Sequence, residues 1–214
     1  MWPDRPHLRE HTTTTPLTRF YLIRHGHTAA IDQRLAGRAE GTSLTDEGQR
    51  QVARMVVAMH GVPLTAVVAS PLERTRQTAE PLARDHGLDV TVAPRFNEID
   101  FGSWTGAVFA DIDADPRWRR YNAVRSVTPA PGGELLIEVQ LRALRALLDL
   151  RERYDGGHVA VVSHGDVIRG VLMYLLGMPI DFVHRVDIAP ARISIVDLSD
   201  DAPRVLLVNG DSVP

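Results

Sequence analysis

In Phe20-Tyr-Leu-Ile-Arg-His-Gly-His-Thr28 an apolar run gives way abruptly to charged and imidazole side chains. Phe20 to Ile23 has the character of a buried strand, and it runs without a break into Arg24, His25 and Gly26. The apolar run therefore ends on a cation, an imidazole and a residue free to turn. In α/β folds ligands sit outside the carboxyl ends of parallel strands, where a rigid sheet aims side chains without loop slack.

The same arrangement recurs once. Val159 to Val162 is a fully apolar strand that ends on Ser163, His164 and Gly165. Between the two lie alternating helix and strand signals. Thr45 caps a helix that carries Asp46 and Glu47 in its first turn, an apolar stripe of Val52, Met55, Val56 and Met59, and Gly61 as its stop. Ala66 to Ala69 reads as a short buried strand. Ser70, Pro71 and Glu73 then read as N-cap, first-turn proline and capping-box acid of a helix, which puts Arg74 near that helix's positive end. Val90 to Val92 is a further strand, and Asn97 to Gly106 an irregular, aromatic-rich loop. Glu134 to about Tyr154 has helical spacing through Leu136, Val139, Leu144, Leu147 and Leu148. A helix to Leu176 closes at Gly177 and Pro179, and Ile193 to Asp197 and Val205 to Val208 read as edge strands.

This alternation predicts a three-layer α/β/α sandwich over a mostly parallel central sheet. The expected organisation is a disordered leader over residues 1–18, with four consecutive threonines, a single domain over 19–208, and a tail over 209–214. Thr28 to Thr42, with Arg34 and Arg38, suits a lid on an anion site. Ala107 to Pro131 is expected to be an irregular insertion roofing the site.

Composition excludes much. The 214 residues are 44% apolar with a formal charge of −3, so a full core is possible and neither nucleic acid nor an anionic membrane is implied as a partner. All 24 basic residues are arginine. Lysine general bases and Schiff bases are thereby absent, and the fixed positive charges cannot titrate at working pH. The absence of cysteine removes disulfides, thiolate catalysis and cysteine zinc sites. No apolar run approaches the ~20 residues of a membrane helix, and the first residues lack the apolar core of a secretory signal, so a cytoplasmic location is expected.

If the two His-Gly strand ends are neighbours, His25 and His164 face one crevice, and Gly26 and Gly165 let backbone amides approach an anion. Arg24 and Arg74 add planar forks suited to phosphoryl oxygens, and a neutral imidazole is a competent nucleophile toward phosphorus. Nearby cations hold the imidazole neutral. A leaving alkoxide needs a proton, and the residues alone leave Glu98, Asp100 and Asp166 as candidate acids. A metal site built from His25, His27 and His164 is the weaker alternative, because it lacks a helical i, i+4 pair and the arginines would repel a cation.

The RHG stretch resembles the signature of the histidine phosphatase superfamily, which includes the cofactor-dependent phosphoglycerate mutases. Three further blocks match in the family's order: Ser70 to Ala79 (SPLERTRQTA), Asn97 to Gly106 (NEIDFGSWTG) and Ser163 to Gly170 (SHGDVIRG). The resemblance spans Arg19 to Asp197 and implies a phosphoglycerate mutase-like fold. It implies His25 as the nucleophile that becomes phosphohistidine, Arg24, Arg74 and His164 as holders of the transferring oxygens, and Glu98 as the acid. No metal and no cofactor are expected. His27 stands where the family commonly has an acidic residue, and Ile31 where an asparagine usually helps bind phosphate. The segment between Glu98 and Ser163 is shorter than in the mutases, which also use lysine. The expected activity is therefore hydrolysis of a small phosphorylated metabolite, with mutase-type transfer or a non-catalytic phospholigand-binding module as alternatives.

Overall fold

The computed structural model describes residues 17–31 and 33–214. In chain order the strands are β1 (Thr18–Arg24), β2 (Ala66–Ala69), β3 (Val90–Val92), β4 (His158–Ser163), β5 (Ile193–Leu198) and β6 (Arg204–Gly210). The helices are α1 (Asp46–Met59), α2 (Glu73–Asp85), α3 (Phe109–Ile112), α4 (Pro116–Ala123), α5 (Leu136–Arg153) and α6 (Gly165–Leu175). The strands form one sheet in the order β3-β2-β4-β1-β5-β6. The first four are parallel, and β5 and β6 close the sheet antiparallel.

Alternation along the strands builds the layers. Phe20, Leu22, Val68, Val159 and Val161 face one side, where Leu136, Val139 and Leu147 of α5 and Val167, Ile168 and Val171 of α6 pack on them. Tyr21, Ile23, Val67, Ala69, Ala160 and Val162 face the other, against Val52, Met55 and Met59 of α1 and Ala79 and Leu82 of α2. The result is the α/β/α sandwich that the strand and helix pattern implies.

Several local expectations need correction. Strand β1 starts at Thr18, inside the stretch read as a leader, while residues 1–16 of that stretch lie outside the described residues. β5 is not an edge strand: it pairs with β1 on one side and β6 on the other, and all its residues are buried. Asn209 and Gly210 belong to β6 and not to a tail. Helix α2 begins at Glu73 with Leu72 as its cap, because the Ser70 N–H still pairs with the Val162 carbonyl and prolongs β2. α5 begins at Leu136, since Glu134 is drawn aside into ion pairs with Arg38 and Arg142. On α5 the packed positions include Ala143 and Ala146, and Leu148 is exposed. The roof over 107–131 is more regular than expected, with α3 and the Pro116-initiated α4 inside it.

One close approach fixes α1 against the end of β1. A Cβ on Gly48 would sit 2.2 Å from the His27 carbonyl oxygen, and one on Gly26 2.8 Å from the Gly48 carbonyl oxygen. Gly26 thus serves backbone-to-backbone packing, and its N–H is taken by the Thr78 hydroxyl at 3.0 Å, so it is not offered to an anion as the sequence suggested. Replacing a helical glycine by alanine ordinarily stabilises by about 1 kcal/mol. Here overpacking should cost about 1–3 kcal/mol, so Gly48→Ala is expected to lower stability in chemical denaturation. A variant more stable than the parent would show that α1 does not rest on this turn.

Candidate active site

The register of β1 and β4 sets Arg24 opposite Ser163, and the His25 N–H donates to the Ser163 carbonyl at 3.0 Å. The two strand ends are therefore adjacent. The rings of His25 and His164 meet edge-on with centroids 5.3 Å apart. A cavity of about 300 Å³ opens beside them, lined at its inner end by Arg24, His25, Arg74, Glu98 and Gly165. His164 is fully buried just behind, against His25.

Each side chain is held by its own neighbours. The Nδ1 of His25 lies 2.8 Å from the Gly26 carbonyl, which as an acceptor requires the proton on Nδ1 and leaves Nε2 with its lone pair. Burial pushes the His25 pKa well below the ordinary imidazole value, and Arg74 and Arg24 push it further. His164 is displaced in the same direction, first by burial and then by Arg74. Both rings are therefore neutral at pH 7. The Ser70 hydroxyl, 2.7 Å from His164 Nε2 and from Thr75 Oγ1, anchors the second ring. This serine was read from the sequence as a helix cap.

Arg74, the second residue of α2, is 2% exposed. One of its amino groups, Nη2, donates to the Gly37 carbonyl at 2.7 Å, while Nε and Nη1 have no hydrogen-bond partner. Buried N–H groups left unpaired are costly and uncommon, and Nε and Nη1 are donors that a bound anion would take up, each on its own edge of the guanidinium. Arg24 is fixed differently, its Nη1 donating to the Ile188 carbonyl at 2.6 Å.

Glu98 sits across the cavity. Its backbone carbonyl accepts from Arg38 at 2.8 Å and Arg142 at 3.1 Å, and one carboxyl oxygen accepts from the Ile99 N–H at 2.9 Å. Its other oxygen stands 3.9 Å from His164 Nδ1. Burial raises its pKa to about 7, with the negative charge of Asp166 adding to the rise and Arg74 opposing it. The two rival carboxylates behave otherwise. Asp166 lines the cavity but is bound by Arg125 at 2.9 Å and Arg169 at 3.2 Å, and these cations overcome the effect of burial and hold it ionised. Asp100 lies outside the lining, accepting from the Gly102 N–H at 2.8 Å.

The outer cavity combines two segments. Thr28, Ile31, Arg34 and Leu35 come from the expected lid, and Phe109, Trp118, Asn122 and Arg125 from the roof. Arg38 leaves the cavity to pair with Glu134. His27 also turns away, its Nδ1 2.9 Å from the Thr45 hydroxyl, so it does not join His25 and His164 as a third ligand. No group of three or more His, Asp or Glu side chains placed to hold a metal ion occurs among the described residues. No helix among them is long and apolar enough to cross a membrane.

Comparison with known proteins agrees with the fold. Residues 20–211 match the profile of the Histidine phosphatase superfamily (branch 1). A bifunctional protein of Mycobacterium tuberculosis is 38% identical over 90% of this chain, which spans only 54% of that longer protein. A probable phosphoglycerate mutase of Enterobacter is 30% identical, with 84% of this chain and 85% of the mutase aligned. Among solved structures, a putative alpha-ribazole-5'-P phosphatase from Escherichia coli superposes with a TM-score of 0.82 at 27% identity, covering 92% of this chain and 98% of that one. The chain belongs to the histidine phosphatase superfamily.

Proposed function

We propose that the protein is a phosphomonoesterase that needs no metal ion and acts on a small phosphorylated compound through phosphohistidine at His25. The observation that carries this reading is Arg74, a buried guanidinium with Nε and Nη1 unspent beside the free lone pair of His25. A phosphoryl group seated there accepts from Arg74 and Arg24. His25 Nε2 attacks phosphorus, the ester oxygen departs with the proton of Glu98, and the positive charges stabilise the equatorial oxygens as the transition state forms. In the second step Glu98, now a carboxylate, takes a proton from the water that attacks phosphohistidine, and His25 leaves neutral. His164 supports the phosphoryl oxygens from behind.

Hydrolysis is favoured over transfer by three considerations. The chain has no lysine, its segment between Glu98 and Ser163 is short, and a phosphatase is among its structural neighbours at TM-score 0.82. The mutase relative keeps transfer to a sugar acid as the competing outcome. A panel of phosphomonoesters assayed with excess chelator, with and without 3-phosphoglycerate-type acceptors, separates the two. Release of inorganic phosphate in chelator supports the proposal; phosphoryl transfer without net hydrolysis, or activity restored only by a divalent ion, contradicts it.

The pH dependence follows from the sign of the shifts. His25 is neutral throughout the physiological range because its pKa is depressed, and Glu98 is protonated only below about 7. With alkyl phosphates, whose leaving group needs the acid, kcat/KM should fall as pH rises through that region. Glu98→Gln should lower the rate and remove the basic limb; a limb left in place would assign the acid elsewhere.

Arg74→Lys should be far from neutral, because a point charge replaces a planar fork. A loss of about 2 kcal/mol or more in transition-state stabilisation is expected, read as kcat/KM on an aryl phosphate. Near-normal turnover would mean that the fork is not used.

A further inference from the structure

Two non-glycine residues among those described have a positive φ, Ala191 at 55° and Asn209 at 57°, and they belong to one device. L residues rarely adopt this conformation, and it persists where surrounding contacts over-determine it. Ala189 to Arg192 is a tight turn, with Pro190 at its second position and the Arg192 N–H donating to the Ala189 carbonyl at 3.3 Å. Pro followed by a positive φ is the pattern of a type II turn. This turn grips the phosphate-binding strand end at three points. The Ala191 N–H donates to the Arg24 carbonyl at 3.0 Å, the Arg24 N–H donates to the Arg192 carbonyl at 3.3 Å, and Ile188, just before the turn, accepts the Arg24 guanidinium at 2.6 Å.

The turn is itself held from β6. Ile193 pairs with Gly210 and Ile195 with Leu207, so two steps along β5 match three along β6 and the extra residue makes a bulge. Bulges re-aim side chains. Here the bulge holds Asn209, whose N–H donates to the Ser194 hydroxyl at 3.1 Å and whose side-chain oxygen accepts the Ala189 N–H at 2.7 Å. Because that donor is a backbone N–H, the amide must present oxygen to it. Asn209 does not line the cavity.

We infer that Asn209 is a positioning residue for Arg24: its side-chain oxygen holds the Ala189–Arg192 turn so that the Ile188 carbonyl aims the guanidinium at the bound phosphoryl group. The inference rests on the phosphatase reading for its consequence in catalysis, but the clamp exists without substrate. Asparagine suits both demands of the position, since it tolerates the left-handed backbone and supplies an acceptor.

Two substitutions separate those demands. Asn209→Gly keeps the backbone freedom and removes the acceptor, whereas Asn209→Asp keeps an acceptor. Asn209→Gly should lose amide hydrogen-exchange protection at Arg24 and Ala191, weaken vanadate inhibition, and lower kcat/KM by roughly 10- to 100-fold, the scale of a small misplacement remote from the chemistry. Asn209→Asp should recover all three. In an Arg24→Gln background the Asn209→Gly loss should largely disappear, which a merely stabilising role would not produce. Wild-type protection at Arg24 in Asn209→Gly, or an equal loss in both backgrounds, overturns the inference. A parent protein inactive on every phosphomonoester, yet showing this protection pattern, would count against the phosphatase reading and support the clamp.

Discussion

The buried, half-satisfied guanidinium of Arg74 is the constraint on which the rest of the site depends. A fixed charge of this kind is costly to remove from water unless partners replace its hydration. The structure supplies one, the Gly37 carbonyl, and leaves Nε and Nη1 open beside His25. Its placement requires β2 to end where it does, because Arg74 follows that strand by only a short turn into α2. It also requires the segment after β1 to bring Gly37 back over the helix start.

The same electric environment divides labour among the titratable groups. Burial beside Arg24 and Arg74 keeps His25 and His164 neutral, so they retain lone pairs. Burial, with the negative charge of Asp166 adding to it, raises Glu98 to about 7 against the pull of Arg74, and there a carboxyl can both give and take a proton. Asp166, equally enclosed, is ionised because Arg125 and Arg169 touch it. Two carboxylates in one cavity thus acquire different states from their partners. A chain whose only basic side chains besides histidine are arginines is well suited to this, since none of those charges can be lost near neutral pH.

Much of this was legible in the sequence because it depends on strand ends. Apolar runs that stop on Arg24-His25 and Ser163-His164 announce their location, and parallel pairing brings them together. The proposed acid was not legible from pattern: Glu98 and Asp100 differ only in what the fold places around them, and family resemblance had to choose. Ser70 satisfied every signal of a helix cap, yet β2 continues through its N–H and its hydroxyl goes to His164. On α5, counting large apolar residues favoured Leu148, whereas α5 buries the smaller Ala143 and Ala146. The sequence placed Trp118 and Arg125 in the roof without assigning either a contact, and Asn209 carried no signal at all. Their roles come from contacts with segments distant in the chain, and no local period encodes those.

The proposed phosphohistidine is a covalent intermediate, and it can be trapped. With Glu98 replaced by alanine, an activated aryl phosphate still transfers its phosphoryl group to His25 because its leaving group needs little protonation, while the water step loses its base. Rapid quenching followed by mass spectrometry should then find one phosphoryl group on His25, labile to acid and stable to base. Its absence despite hydrolysis, or an acid-stable phosphoryl group on any other residue, would contradict the account.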